Sequence, residues 1–229
     1  MHQGTVLDLH VHSAQGSSDS SLQTSELVSE AHRLGMGVNL SEHNRTWELF
    51  KLSALREESG LLLTRGMEVT TDMGHMIVLG LDQYYSGIRN ARRLSEMCRE
   101  RGAFLIVAHP FRHLLVPKPG SSEPPFTMSP EEAAETMEVF RLVDGIEVGN
   151  GGTAPEENAF AYRVAEVLGT SMTGGSDAHS TSGFGSFTTV FEDELTSDKE
   201  VLEALHDGAG TCYTGLHIGA FKPFVPDPL

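Results

Sequence analysis

The sequence predicts one α/β domain with a mostly parallel sheet, which repetition of the strand-helix unit suggests is closed into a barrel. Apolar runs of strand length alternate with amphipathic runs of helical length along the chain, as in successive βα units. The run from Ala103 to Ala108 is continuously apolar, which is typical of a strand covered on both faces. The 229 residues, 39% of them hydrophobic, fit one barrel-sized domain or two small ones. We therefore expect a single domain over residues 1–229.

Glycine, proline and capping residues set the borders of the expected elements. The first strand is expected to end in the stretch 7–13. Further strands are expected over 38–41, 61–70, 75–79, 103–108, 143–149, 170–174 and 187–191. Helices are expected over 24–34, 46–58, 88–101 and 155–168, from residue 130 onward, and after a cap at residue 197. Ser129-Pro130-Glu131-Glu132 has the spacing of a capping box with proline at the first helical position.

Two segments are expected to lack regular structure. Residues 111–128 contain four prolines and show no periodicity, so we expect a long loop that serves as a substrate lid. Residues 215–229 are rich in glycine and proline, so this tail is expected to pack irregularly.

Charge and cysteine content narrow the classes of partner and compartment. Lys plus Arg number 16 against 32 Asp plus Glu, and the net charge of −16 opposes binding of long duplex nucleic acid. A small anionic substrate is compatible with this balance. We find no apolar run long enough to span a bilayer and no secretory signal, so no membrane partner is expected. Cys98 and Cys212 are expected to be reduced thiols, which favours the cytoplasm.

Two histidines at the end of the first strand suggest a metal site. His10 and His12 are separated by one residue, and side chains alternate across a strand, so both rings should lie on the same face. Such a pair can supply two ligands to one metal ion. An ordinary pair of strand histidines is the alternative, and the motif alone does not separate the two.

Further histidines and acids recur at the ends of other predicted strands or just after them. The candidate ligands are His10, His12, Asp19, His43, Glu68, His75, His109, Asp177 and His179. Imidazole and carboxylate donors together suit zinc, iron or manganese, and the absence of clustered cysteine argues against a structural zinc site. Nine donors are too many for one ion. We therefore expect two or three divalent metal ions, with Glu68 bridging two of them.

Five ordered motifs resemble those of the PHP (polymerase and histidinol phosphatase) family. They are Asp8-Leu9-His10-Val11-His12-Ser13, Ser41-Glu42-His43, Gly66-Met67-Glu68, Ala108-His109-Pro110 and Ser176-Asp177-Ala178-His179. The match runs from residue 5 to about residue 215. The resemblance implies a distorted, TIM-like barrel of about seven βα units, (β/α)7, with a metal cluster at the carboxyl ends of the strands.

The resemblance also implies how the ligands are shared. One ion would be held by His10, His12, Glu68 and Asp177, a second by Glu68, His75 and His109, and a third by Asp19, His43 and His179. Two features depart from the family pattern. Asp19 lies seven residues after His12, where the family often has an aspartate after five. Glu42 stands where the family usually has aspartate, and it is expected either to orient His43 from behind or to reshape the third site.

A cluster of this kind predicts hydrolysis of a phosphoester. Water that bridges two divalent ions loses a proton near neutral pH, and the ions neutralise the phosphate oxygens. Glu68, Asp177 and His179 are the predicted catalytic residues, with His179 or His113 as general acid. Arg112, Arg45 and His113 are expected to bind the phosphate, although solvated loop positions are the alternative for these three. Glu147 and Asn150 are expected either to contact the metal ligands without binding the metal or to face the substrate.

Three functions are compatible with these motifs. The first is a metal-dependent phosphoesterase acting on a small phosphorylated metabolite or a short nucleotide or oligonucleotide, including a monoesterase like histidinol phosphatase. The second is a catalytically silent, metal-holding domain that acts as a scaffold or regulator. The third is hydrolysis of a carbon-nitrogen bond, which similar metal barrels perform. The filled ligand set favours the first.

Overall fold

The computed structural model describes residues 4–118, 120 and 126–227, and ten strands in that part of the chain form one sheet. The strands are β1 Thr5–Val11, β2 Gly37–Leu40, β3 Leu63–Thr71, β4 Gly74–Leu79, β5 Phe104–Val107, β6 Gly145–Asn150, β7 Ser171–Gly175, β8 Phe187–Phe191, β9 Thr211–Thr214 and β10 Lys222–Pro223. The helices are α1 Thr24–Leu34, α2 Leu49–Ser59, α3 Ala91–Arg101, α4 Pro130–Thr136, α5 Pro155–Leu168 and α6 Asp198–His206, with 3-10 helices at Glu138–Arg141 and Leu216–Ile218. Their spatial order in the sheet is β10-β9-β8-β1-β2-β3-β4-β5-β6-β7.

The sheet is mixed rather than mostly parallel, which corrects the sequence prediction. The strands β1, β2 and β3 run parallel, as do β5, β6 and β7, but β4 is antiparallel to both β3 and β5. The cause is the short connection at Asp72 and Met73, because two adjacent strands joined by so tight a turn must reverse direction. The same hairpin places Glu68 and His75 on neighbouring strands.

Backbone hydrogen bonds curl the sheet so that its two halves approach one another. The amide of Asp177, just after β7, donates to the carbonyl of His10 at 2.7 Å, and the amide of His12 donates to the carbonyl of Ala178 at 3.0 Å. The carboxyl ends of β1 and β7 therefore meet, and the site described below lies where they do. A mixed α/β fold with a curled sheet is confirmed, while the count of seven βα units stays a prediction.

Helix packing agrees with the predicted pattern, with small shifts at the boundaries. Buried side chains of β2 pack on α1 and α2, and those of β5 and β6 pack on α3, α4 and α5. The predicted capping box is present at α4, where Ser129 Oγ accepts the amide of Glu132 at 3.2 Å. The helix α3 begins three residues later than expected, because the side chain of Asn90 caps it by accepting the amide of Arg93.

The carboxyl-terminal tail is more regular than the sequence predicts. The strand β9 was not anticipated, and the expected irregular tail contains the 3-10 helix Leu216–Ile218 and the short strand β10, which pairs with β9. The single-domain assignment stays a prediction. Of the proline-rich loop, residues 119 and 121–125 lie outside the described residues.

Two other expectations concern the membrane and the thiols. Within the described residues, no helix is both long and apolar enough to cross a membrane. Cys98 and Cys212 are free and buried, and burial raises the pKa of the Cys98 thiol to about 12.

Candidate metal centre

The two histidines of β1 share one face, as strand alternation predicts. The side chains of His10 and His12 are fully buried, and their ring centroids lie 5.0 Å apart. Val11, between them, points the other way into the core beneath α1 and α2. The pair thus directs two imidazoles to the point where β1 ends.

Glu68, on β3, lies at the centre of the cluster. Five imidazoles approach its carboxylate to within 3.5 Å: His10, His12, His43, His75 and His109. The shortest approaches are 2.7 Å from His43 Nδ1 and 2.8 Å from His75 Nδ1. Burial alone would raise the pKa of Glu68, but the charge of His10 and the hydrogen bonds from surrounding imidazoles hold it well below its usual range. Glu68 is therefore an ionised carboxylate shared by several histidines.

Asp177 completes the buried part of the cluster. Its Oδ1 lies 3.2 Å from His12 Nε2 and 3.4 Å from His10 Nε2, while Arg112 donates to its other oxygen. Burial opposes ionisation, but the charge of His10, the close approach of His12 and the charge of Arg112 keep the pKa of Asp177 far below its ordinary value. Asp177 has φ 54° and His109 has φ 32°, and non-glycine residues in this region are typical of sites where tertiary structure imposes the backbone.

A second, more exposed group surrounds Asp19. Its Oδ2 lies 3.0 Å from His43 Nε2 and 3.5 Å from His179 Nε2, although Asp19 departs from the family spacing. The loop after β1 folds back on the end of that strand, where Ser20 Oγ donates to the carbonyl of His12 at 2.7 Å. Asp19, next to Ser20, therefore lies close to the cluster. His179 Nδ1 donates to the backbone carbonyl of Asp177 at 2.9 Å, so its Nε2 faces Asp19. That geometry favours a ligand over a general acid.

We use two names for these groups. The inner site consists of His10, His12, Glu68 and Asp177, and the outer site consists of Asp19, His43 and His179. The pair His75 and His109 lies beside Glu68, between the inner site and a cavity.

The chemistry of the inner site fits a metal ion. His10 Nε2, His12 Nε2 and Glu68 Oε2 are buried, and although other donor atoms of the cluster lie close to them, none of the three makes a hydrogen bond of acceptable geometry with a described residue. Leaving such atoms unpaired is costly, and a cation at their meeting point would satisfy all three. Four groups of three donors, each with donor atoms within 4.8 Å of one another, could hold an ion in the described part of the chain: His10-His12-Glu68, Glu68-His75-His109, His12-His43-His179 and His10-His109-Glu147.

Glu147, on β6, supports His10 from behind. Its Oε1 lies 2.9 Å from His10 Nδ1, and its Oε2 accepts the amide of His109 at 2.8 Å and the side-chain amide of Asn150 at 2.9 Å. Because a carboxylate only accepts, His10 Nδ1 carries the hydrogen and Nε2 faces the inner site. Burial would lower the pKa of His10, but Asp177, Glu147 and Glu68 raise it well above its usual value. A metal ion bound at His10 Nε2 would replace the proton that the raised pKa places on that nitrogen.

In the described part of the chain, Glu42 makes no hydrogen bond or ion pair with the imidazole of His43, so the expectation that it orients that ring is wrong. Its buried carboxylate instead accepts the hydroxyl and amide of Ser13, the hydroxyl of Ser17 at 2.5 Å and the indole N–H of Trp47 at 2.7 Å. The longer side chain extends into the turn after β1, where the backbone passes so close that a Cβ at Gly16 would overlap it. Ser17 was not among the predicted site residues.

The three predicted phosphate-binding residues are not all brought together. Arg112 donates to Asp177, to Asn150 Oδ1 at 2.6 Å and to Thr153 Oγ1 at 3.1 Å. It therefore holds the carboxylate of Asp177 in place at the inner site. Arg112 and His113 line a cavity of about 400 Å³ that opens beside His75 and His109. Arg45 is not among the lining residues of that cavity.

Arg45 lies in a separate and much smaller cavity. That cavity measures about 50 Å³, and its lining includes Gly16, Trp47 and Lys51. Arg45 and Arg112 thus line different cavities, and phosphate binding by Arg45 stays a prediction.

Comparisons with known proteins agree with this architecture. A family model described as PHP-associated matches residues 155–209. The fold resembles a two-domain protein from Bacteroides vulgatus that contains a predicted PHP-like metal-dependent phosphoesterase (TM-score 0.62, 24% identity, 92% of this chain and 64% of that chain). It also resembles a candidate metal-dependent phosphoesterase from Bifidobacterium adolescentis (TM-score 0.58, 20% identity, 89% of this chain and 96% of that one). These findings confirm the resemblance to the PHP family.

A third structure corrects the expectation about partners. The fold resembles endonuclease Q in complex with a 27-mer duplex substrate that has an abasic lesion at the active site (TM-score 0.56, 16% identity, 96% of this chain and 58% of that chain). The exclusion of long duplex nucleic acid is therefore wrong, since a protein of this fold holds a duplex. Net charge is a sum over the whole surface, and it does not fix the field at one cluster of cations. No curated protein sequence matches this chain.

Proposed function

Because the chain is similar to the PHP family in its motifs and its fold, we propose that it is a metal-dependent phosphoesterase, a hydrolase of phosphoester bonds. The observation that supports this most directly is the set of buried, unpaired donor atoms on His10, His12 and Glu68. They face one another at the carboxyl ends of strands, beside a cavity with cationic side chains. The site combines metal ligands with groups that attract phosphate.

The proposed ligand sets follow the geometry of the cluster. The inner site would hold one ion, and Glu68 with His75 and His109 would hold a second. The outer site, in which His12 also lies close to His43 and His179, would hold a third. Zinc, manganese or iron suits these donors. When bound, such ions supply an activated water at neutral pH and neutralise phosphate oxygens.

Arg112 is proposed to bind and orient the phosphate. Its Nε and Nη2 hydrogens are used by Thr153, Asn150 and Asp177. The two hydrogens on Nη1 have no partner among the described residues, and the guanidinium is held rigidly by its other bonds. A fixed, always charged donor next to the inner site can bind a non-bridging phosphate oxygen with little loss of entropy.

His113 is proposed as the proton donor to the leaving oxygen. It follows Arg112 directly, lines the cavity beside His109 and has φ 65°, which turns it away from the direction of the preceding loop. It belongs to none of the metal-capable groups found in the described part of the chain. An imidazole that is not bound to a metal ion can donate a proton to a leaving group.

The cavity is proposed to receive the part of the substrate attached to the phosphate. Its walls are largely apolar, with Met73, Leu114, Met137 and Val139, and its volume of about 400 Å³ suits a small organic group. Such a group can belong to a nucleotide or to the end of a strand. Endonuclease Q shares the fold and holds a lesion-bearing duplex at its active site, so we include nucleic-acid phosphodiesters among the substrates.

The decisive experiment is a substrate panel measured after reconstitution with manganese or zinc. It contains phosphomonoesters, mononucleotides, single-stranded oligonucleotides and a duplex with an abasic site. We expect turnover of at least one class, loss of turnover on chelation and recovery when metal is restored. His109→Ala should abolish turnover, whereas His206→Ala should not, since His206 on α6 hydrogen-bonds only the carbonyl of Gly102 among its described partners.

One result would overturn the proposal. If metal analysis shows a filled cluster and no substrate in the panel is hydrolysed, the chain is a metal-holding domain without this activity. Turnover that persists equally in His109→Ala would assign the activity to a contaminant.

A further inference from the structure

Arginines are concentrated on one short segment of an otherwise acidic chain. Residues 89–101 carry five arginines and two glutamates, although the whole chain has 32 acidic against 16 basic residues and a net charge of −16. The helix α3, which makes up most of this segment, packs its apolar side chains into the core, so its arginines face outward. We call Arg89, Arg92 and Arg93, which are all exposed at the start of the segment, the arginine patch.

Contacts on two sides hold the arginine patch beside the wall of the cavity that adjoins the metal centre. Asp72 donates its amide to the carbonyl of Arg89 at 2.9 Å, and the residue after it, Met73, lines the cavity. Arg92 binds the carboxylate of Glu138 through both Nε and Nη2. The residues before and after Glu138 line the same cavity. The patch therefore lies directly outside the cavity wall.

Within the described residues, the side chains of Arg89 and Arg93 form no ion pair. Exposed arginines on α1 and α5 are each neutralised by a glutamate one turn away, with contacts of 2.6 Å. Two acids beside the patch are already bound, Glu138 by Arg92 and Asp72 by amide groups at the start of α3. The patch thus keeps a positive charge at the edge of the cavity that neighbouring side chains do not neutralise.

We propose that the arginine patch binds the phosphates of a nucleic-acid strand whose reacting phosphate lies at the metal centre. This inference rests on the proposed phosphoesterase function and names its substrate more closely, as an oligonucleotide rather than a free mononucleotide. The cavity of about 400 Å³ suits one nucleoside, so a longer strand must leave it past its wall. Exposed arginines at that wall meet the group that every nucleotide repeats, a charged phosphate.

The arrangement explains how an acidic protein can hold a polyanion. Repulsion from distant acids is screened over about 8 Å at physiological ionic strength, whereas the arginines would touch the phosphates. The planar guanidinium matches two phosphate oxygens at once, which an ammonium group does not. Because contacts to phosphates carry no base identity, we expect binding with little sequence preference.

The test measures binding of a short, fluorescently labelled single-stranded oligonucleotide to the metal-loaded chain by fluorescence anisotropy, over a series of salt concentrations. Phosphorothioate linkages in the oligonucleotide prevent its hydrolysis during the measurement. Each phosphate contact on a single strand contributes about 0.7 to the slope of log affinity against log salt. Arg89→Ala combined with Arg93→Ala should therefore make the slope shallower by about 1.4 and lower the affinity at low salt by about tenfold or more.

Two further pairs of substitutions are the controls. Arg33→Ala combined with Lys199→Ala removes the same charge from exposed positions on α1 and α6, and it should leave the slope and the affinity nearly unchanged. Arg89→Lys combined with Arg93→Lys keeps the charge, and it should keep the slope, since the slope counts charged contacts. All these side chains are exposed, so every variant should unfold at nearly the same temperature as the unmodified chain.

The outcomes distinguish this inference from the proposed function. The inference is overturned if the unmodified chain does not bind the oligonucleotide, or if the alanine variant of the patch loses no more affinity than the Arg33 and Lys199 control. Binding of phosphatidylserine vesicles through the patch, without binding of the oligonucleotide, would also overturn it and assign the patch to a membrane surface.

None of these readouts depends on turnover. If the oligonucleotide binds through the patch as expected while no phosphoester is hydrolysed, the binding surface holds and the proposed function fails. If mononucleotides are hydrolysed while the oligonucleotide is not bound, the proposed function holds and this inference fails.

Discussion

The inner site takes its side chains from the end of β1, from the interior of β3 and from the turn directly after β7, whereas the outer site takes Asp19 and His179 from loops. The inner carboxylates of Glu68 and Asp177 are 1% and 5% exposed, and the rings of His10 and His12 are fully buried. In the outer site Asp19 is 56% exposed. The same types of side chain are thus presented in two very different surroundings.

This difference indicates how firmly each site should hold an ion. The inner rings are fixed from behind through Nδ1, and the surroundings exclude water, so electrostatic attraction there is weakly screened. The outer donors face solvent, where screening is strong and Asp19 has freedom to move. We therefore expect a tightly held inner ion and a more readily exchanged outer ion.

Replacing Glu68 should have the largest effect, because Glu68 contacts ligands of both sites. Glu68→Gln removes a negative charge from five surrounding imidazoles, and we expect metal to be lost from the inner and outer sites together. The affinity for metal should fall by more than the about 10–100-fold that follows loss of a residue hydrogen-bonded to a ligand. Metal content after dialysis, measured by mass spectrometry, checks this. Glu203→Gln, at an exposed position on α6, is the matched control, and equal metal loss in both variants would contradict the central role of Glu68.

Replacing Glu147 should weaken the inner site alone. Glu147→Gln keeps the size of the side chain but removes the charge that His10 Nδ1 faces, so we expect an about 10–100-fold lower affinity for the inner ion. Competition with a chelator, followed by metal counting, measures the change. Faster exchange of the outer ion to the same extent would show that the two sites are not distinct in the way their burial suggests.

Replacing Asp19 should have the smallest effect. Asp19→Asn removes one exposed carboxylate from the outer site, and we expect a loss of less than about tenfold in the affinity of the exchangeable ion, as for a solvent-screened charge. The inner ion should be unaffected. Stopped-flow release of metal to a coloured chelator gives the two phases separately, and a slower phase that responds to Asp19→Asn would argue against the division.

The sequence was most informative where spacing alone determines geometry. A separation of one residue on a strand places His10 and His12 on one face whatever the rest of the fold does. The positions of His109 and Asp177 just after strand ends followed from similar reasoning, because the ends of neighbouring strands meet at one edge of a sheet, whereas Glu68 lies inside β3.

Features that depend on side-chain reach could not be predicted in this way. Nothing in the motif Ser41-Glu42-His43 indicates that the glutamate bends into the turn after β1 and bonds Ser17. The use of Arg112 as an anchor for Asp177 depends on a loop conformation that periodicity does not encode. The strand β9 was missed because Thr-Cys-Tyr-Thr is short and offers only weak alternation. Net charge misled the prediction of partners, since it averages over a surface that need not be uniform.

The order in which the ligands occur along the chain bears on when the cluster can form. Glu68 and His75 are seven residues apart on one hairpin, so they can meet as soon as that hairpin exists. His10 and Glu147 are 137 residues apart, and Asp177 comes later still. Contacts this distant in sequence form only after a large loop has closed, which makes them late and slow steps of folding. During synthesis the first strand must therefore wait for β6 and β7, and acquisition of the inner ion would mark the end of folding rather than its beginning.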